Sequence, residues 1–342
     1  MNYRTFVIIL ASIVAILLAV GVLFLIFTEE RSPESYFNPK GTLYLSLIPA
    51  DKATSSPIGI YTYTFPRGIW NRVLVDDERR DGSVYYANFS SSLSDDGTAM
   101  TFVRKEENNE SARQIYISSP DGKGIRQITN TAEEMKREPV FNPSKDLIAY
   151  VVLNSPLNDL ASFRIPESWS TYLSDMSGKV TEVSKGINPM FSRDGKRLLV
   201  LKNKGLYMFD ISNPQKPTEK GLVIPIVGDG KRASRTMELS LSLDRTKLAW
   251  SVPAQNKVFV YDIISWDKFS FELKTIILAN KAYWPTFSPD GKALALQEER
   301  VSEGGEKYNV VVAYNLDGPR AKKDIVNLEN FAIGHIWFDV WQ

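Results

Sequence analysis

The chain has 342 residues, room for one large domain, with 41 Lys and Arg against 40 Asp and Glu and a formal charge of +1. So even a balance offers no basic stripe for nucleic acid. Cys is absent and His335 is the single His. That excludes disulfides, thiol catalysis, Cys-held zinc and any paired-His metal site.

Phe6 to Phe27 is a run of 22 residues without charge. As a helix at ~1.5 Å per residue it would span roughly 33 Å, enough for the hydrocarbon core of a bilayer. Residues 1–27 therefore read as an N-terminal transmembrane signal-anchor. A cleaved signal peptide is the alternative, but the run outlasts a usual apolar core and meets Thr28-Glu29-Glu30-Arg31, not a small-residue cleavage site. Arg4 before the run favours a cytoplasmic N-terminus and an exported body. Residues 28–40 carry Pro33, Pro39 and scattered polar residues without apolar periodicity, and read as a short tether.

From residue 41 to 342 the pattern is all-β. Three strand-like runs come first, Leu43 to Leu47, Ile58 to Phe65 and Trp70 to Val75, the last two joined through Pro66-Arg67-Gly68. Then a turn signature recurs: Leu93-Ser94-Asp95-Asp96-Gly97, Phe141-Asn142-Pro143-Ser144-Lys145-Asp146, Phe191-Ser192-Arg193-Asp194-Gly195, Leu241-Ser242-Leu243-Asp244-Arg245 and Phe287-Ser288-Pro289-Asp290-Gly291. The apolar residue heading each copy is 48, 50, 50 and 46 residues from the next. A period of roughly 40–50 residues, each holding several short strands, is the spacing of β-propeller blades. Pro139, Pro189 and Pro285 stand two residues before their anchors. A further step of about 50 reaches Trp337.

The run Gln114 to Gly122, then Ile125 to Asn130, then Glu138-Pro139-Val140-Phe141-Asn142-Pro143 resembles the TolB-like, WD-like propeller repeat. The resemblance covers about residues 83 to 338. It implies a fold; its motif residues make turns, so it implies no activity and transfers no partner.

Five full units fit between about 83 and 326, near 83–130, 138–185, 187–225, 236–277 and 282–326. The first three strands lack a turn anchor before them, and Ala332 to Phe338 lacks strands after it. The two ends complement each other, which predicts a six-bladed propeller of four-stranded antiparallel blades closed by a blade shared between the N- and C-terminal ends. Ala332 to Phe338 would pair with Leu43 to Leu47, covering edges otherwise open to aggregation.

The chemistry is sparse. No Gly-x-Ser-x-Gly elbow accompanies His335, and Gly228-Asp229-Gly230-Lys231 lacks phosphate-loop spacing. The turn residues Asp96, Asp146, Asp194, Asp244 and Asp290 read as holders of neighbouring backbone amides. No catalytic residue, metal or cofactor is assigned. In such a meander the inter-blade connections and those from second to third strand share one face, opposite the Ser-Pro-Asp-Gly turns. That face gathers the loops at 76–80, 106–110, 133–137, 154–168, 231–235 and 281–284. Lys136, Arg137, Arg232, Arg235 and Trp284 are expected to converge there at the channel mouth, suiting an anionic or carboxylate-bearing partner. The expected function is a membrane-anchored, extracytoplasmic module for protein binding or scaffolding, with a cell-envelope component as partner and no nucleic acid. A channel-sited hydrolase or lyase without His or Cys chemistry, or a sensor of cell-wall glycan or peptide, is the alternative.

Overall fold

The computed structural model describes residues 37–47, 58–75, 86–106, 113–131, 135–154, 165–226, 237–318, 321–329 and 337–341. They form a six-bladed, all-β propeller, each blade a four-stranded antiparallel sheet. In chain order blade 1 contributes β1 (Gly41–Leu47), β2 (Gly59–Phe65) and β3 (Ile69–Leu74). Blade 2 holds β4 (Tyr86–Leu93), β5 (Met100–Glu106), β6 (Arg113–Ser118) and β7 (Arg126–Gln127); blade 3 holds β8 (Lys136–Phe141), β9 (Leu147–Leu153), β10 (Trp169–Asp175) and β11 (Val180–Lys185). Blade 4 is β12 (Ile187–Phe191), β13 (Arg197–Lys202), β14 (Gly205–Asp210) and β15 (Thr218–Pro225); blade 5 is β16 (Glu238–Leu241), β17 (Lys247–Val252), β18 (Lys257–Ser265) and β19 (Ser270–Leu278). Blade 6 is β20 (Tyr283–Phe287), β21 (Ala293–Val301), β22 (Lys307–Asn315) and β23 (Lys322–Asn327), and β24 (Trp337–Trp341) returns to complete blade 1.

The shared blade forms with a corrected register. β24 pairs with β1 from Leu43↔Trp341 to Ser46↔Trp337, so this strand lies further along the chain than the expected 332–338. In the other blades the apolar anchor ends the innermost strand, as Phe287 ends β20. Trp341, not Trp337, holds that place in β24. The fixed step of 50 fails because the last unit is longer than its predecessors. Residues 332–336, with His335, lie outside the described residues. So does the apolar run at 6–27; among the described residues no helix is long and apolar enough to cross a membrane.

Adjacent blades meet through apolar faces all round the ring. Tyr44 and Ile60 of blade 1 pack with Met100 and Phe102 of blade 2. Phe89 and Ile115 pack with Tyr150 of blade 3, and Ala149 with Phe191 and Leu198 of blade 4. Leu206 and Met208 join Trp250 of blade 5, Val258 and Val260 join Leu294 and Leu296 of blade 6, and Ala293 and Val311 close on Leu43 and Leu45. Trp169 and Trp250 are among the largest fully buried side chains.

The repeated turns link the innermost strand to the second strand of blades 2 to 6. Ser288 shows why these residues recur. Its hydroxyl donates to Asp290 Oδ1 at 2.6 Å and accepts from Ala293 N at 2.9 Å, while its carbonyl accepts from Gly291 N at 2.8 Å. Asp290 also accepts from Lys292 N. Ser94, Ser192 and Ser242 make the same clasp with Asp96, Asp194 and Asp244, and Asn142 replaces Ser in the clasp with Asp146. The carboxylates therefore satisfy backbone amides and hydroxyls at the turn, as the sequence predicts.

Candidate functional site

The innermost strands β4, β8, β12, β16, β20 and β24 surround the central channel. Four of them share one irregularity. Three residues before the anchor, Ser90, Glu138, Asn188 and Trp284 have positive φ of 55°, 54°, 53° and 46° respectively. The ladder slips there, between Phe89 and Ser92, Arg137 and Val140, Ile187 and Met190, and Tyr283 and Thr286. These are β-bulges, and the prolines at 139, 189 and 285 follow the bulged residue because Pro, lacking an N–H, fits where the ladder is broken. A left-handed conformation costs a non-Gly residue roughly 1–2 kcal/mol. Its repetition at one level of the channel is what directs a search for function there. Glu238 occupies the same place in blade 5 without a slip, pairing with Ser251.

The bulged residues bind one another. Ser90 N donates to Ser46 Oγ at 3.2 Å, Glu138 N to Ser90 Oγ at 3.2 Å, and Asn188 N to Glu138 Oε2 at 2.8 Å. Asn188 Nδ2 then donates to the Met237 carbonyl at 3.2 Å. A chain of hydrogen bonds thus crosses four successive blade junctions, from blade 1 to blade 5. It holds Ser90, Glu138 and Asn188 in one orientation at the wall of a cavity of about 270 Å³. Arg137, Glu238 and Trp284 line the same cavity, and all three are half-buried, within reach of solvent.

At the turn end the channel is crossed by a side chain. Arg245 takes the position that Gly97, Gly195 and Gly291 hold in three of the other clasps, at φ 59°. Its Nη2 meets Asp95 Oδ1 at 2.6 Å and its Nη1 donates to the Phe191 carbonyl at 3.0 Å. Asp95 belongs to blade 2 and Arg245 to blade 5, which stand opposite each other in a ring of six, so the ion pair bridges the channel. Its side chains are 31% and 12% exposed respectively, a partly desolvated setting in which such a pair is screened less than on the open surface. Lys145 also replaces Gly, at φ 60°, and its Nζ reaches Asp96 Oδ2 of the neighbouring blade at 2.5 Å. The Lys145 ammonium first, then the Ser94 and Thr98 hydroxyls, hold the Asp96 carboxyl well below the usual carboxylate range. Burial works to raise Asp244 and Asp290, but their Ser clasps and backbone amides bring both below it.

Of the residues expected at the channel mouth, Arg137 and Trp284 meet in the cavity. Lys136 does not join them on an exposed face. It is fully buried, and its ammonium donates to the Thr131 carbonyl at 3.4 Å. It opens strand β8, where alternation sends neighbouring side chains to opposite sides. Arg232 and Arg235 lie outside the described residues. Sequence reasoning missed Ser90, Glu138, Asn188 and Glu238, and also the bridge from Arg245 to Asp95. A signal existed for two of them, Glu138 and Asn188, each followed by a Pro at a fixed distance from its anchor. Among the described residues no three His, Cys, Asp or Glu stand close enough together to hold a metal ion.

No family model and no curated protein matches the chain. Solved structures do. A putative 6-phosphogluconolactonase from Bacteroides uniformis aligns at a TM-score of 0.50 and 14% identity, over 84% of this chain and 83% of its own. The oligogalacturonate lyase of Vibrio parahaemolyticus aligns at 0.51 and 8%, over 86% and 80%. A putative TolB from Agrobacterium tumefaciens aligns at 0.48 and 12%, over 88% and 98%. Identities this low define a fold and nothing finer: the chain is a six-bladed β-propeller with a central channel.

Proposed function

We propose that this propeller is a membrane-anchored, extracytoplasmic binding module that captures its partner at the channel mouth opposite the Ser-Asp turns. One observation carries the reading: the asymmetry of the channel. The cavity is lined at the turn end by Asp95, Leu243 and Arg245, where the ion pair bridges it, and near the starts of their strands by Arg137 and Trp284, where no such bridge is seen among the described residues. Arg137 supplies a guanidinium suited to a carboxylate, and Trp284 a flat apolar surface. β9 ends and β10 begins on the same side, where Asn154 N donates to the Ser168 carbonyl at 2.8 Å.

The test is capture from a cell-envelope extract by residues 36–342. Replacing Arg137, Arg232 and Arg235 together by Ala, or Trp284 by Ala, is expected to abolish it, while Asp290→Ala leaves it intact. The reverse pattern would put the site at the wrong end. For the anchor, N-terminal sequencing of membrane-extracted protein is expected to begin at residue 1; a start near residue 22 or 29 contradicts it.

A second reading has its own support. Glu138 and Glu238 place carboxylates in the same cavity, and matching folds include one named as a lactonase and one as a lyase. Turnover of a lactone or a uronate oligomer, lost on Glu138→Gln, would favour an enzyme.

A further inference from the structure

The chain enters the propeller at the turn end. β1 is the second strand of its blade, so Gly41 pairs with Phe65 and lies level with the hairpin at Pro66 to Gly68. Before it, Phe37 packs against the core shared by blades 1 and 6, Pro39 is buried, and Asn38 Oδ1 accepts from Lys323 Nζ at 3.2 Å. Lys323 lies at the start of β23, again at the turn end. Only nine residues, 28–36, separate Phe37 from the apolar run that ends at Phe27. Fully extended they reach roughly 30 Å.

The same corner of the propeller exposes apolar and basic side chains together. Ile69 and Trp70, on the outermost strand of blade 1, are 45% and 37% exposed. Lys40, Arg67 and Arg72 of blade 1 and Lys292, Lys322 and Lys323 of blade 6 are also exposed, against Asp290, Asp317 and Asp324 as the exposed acidic residues at the turn side of blade 6. Asp324 is already engaged by Arg300 at 3.1 Å. An indole at the rim of a basic surface matches the headgroup layer of a bilayer, where Trp concentrates and anionic lipid attracts Lys and Arg.

We infer that the turn face of blades 1 and 6 rests on the membrane, with Ile69 and Trp70 in its headgroup layer, so that the Arg137–Trp284 mouth points away from the bilayer. This rests on the anchor reading above, and the orientation is a separate claim with a separate readout. Because the chain has no Cys, one label can be placed at a time. The full-length protein is reconstituted in vesicles of phosphatidylcholine with roughly a quarter phosphatidylglycerol, some carrying nitroxide-labelled headgroups. Fluorophores are attached at Ile69→Cys, at Arg67→Cys on the same hairpin, and at Val301→Cys, which lies at the opposite end of blade 6 and is also exposed.

Quenching several-fold stronger at positions 69 and 67 than at 301 is expected, weakening when the anionic lipid is omitted. Equal quenching at both ends, or stronger quenching at 301, overturns the orientation. If alkaline washing strips the chain from the vesicles, the anchor itself fails, whichever label is quenched.

Discussion

At the turn end of the channel five blades close with one local clasp, Ser or Asn to Asp, and the middle is bridged by Arg245 and Asp95. At the other end the innermost strands break their ladders. There Glu138, Asn188 and Trp284 sit in left-handed backbone, and their side chains differ in charge, size and polarity. One end repeats its chemistry and is bridged by an ion pair. The other repeats only its geometry and varies its chemistry. A repeated residue serves the fold that every blade needs, while a repeated position filled by different residues is available to recognition. Under the proposed function, stability belongs to the turns and binding to the bulges.

Deleting residues 331–342 attacks both ends at once and is the largest expected effect. It removes β24, leaving β1 with an open edge and taking away the strand that packs beside β4 and β20. Loss of a cooperative melting transition and aggregation of the propeller are expected; an unchanged melt would show that the ring does not depend on its shared blade.

Ser288→Ala should be the next most damaging. The hydroxyl is buried and holds both Asp290 and Ala293 N, so the change leaves an amide unpaired at a cost of about 1–3 kcal/mol. Chemical denaturation measures it, and partner capture should be untouched. Acid acts on all the clasps together. Asp146, Asp194, Asp244 and Asp290 titrate below their ordinary value of 3.8 in the folded chain. Their contribution is complete above about pH 4 and is lost as the pH falls through the folded values. The melting temperature should accordingly drop below about pH 4, and Asp290→Asn should flatten part of that drop.

The bridge across the channel is expected to matter least for stability. A double-mutant cycle on Arg245→Ala and Asp95→Ala should give a coupling of about 0.5–1 kcal/mol, reduced by salt. Arg245→Gly removes the left-handed strain as well as the bridge, so it should destabilise less than Arg245→Ala.

The sequence discloses these two ends unequally, for physical reasons. Turns are local, so Ser288, Asp290 and Gly291 announce themselves within five residues, and their spacing alone defines blades and closure. The bulges are not local. Ser90, Glu138, Asn188 and Trp284 share a distance from an anchor but no chemistry, and only the prolines after three of them hint that the ladder breaks. Lys136 reads as a surface cation because its neighbour Arg137 does face the cavity; strand alternation, invisible until the start of β8 is known, turns it inward. Asp95 and Arg245 lie 150 residues apart, and the trace they leave is an Arg where the turn prefers Gly.

The most direct test of the division between the two ends is site-specific photo-crosslinking of the full-length protein in the cells that make it. A photoreactive phenylalanine is placed at Trp284 in the cavity or at Arg193, exposed at the turn end and outside the cavity lining. A discrete protein adduct at position 284, lost when Arg137→Ala is added and absent at position 193, is the predicted result. An adduct at 193 with none at 284 would contradict the account.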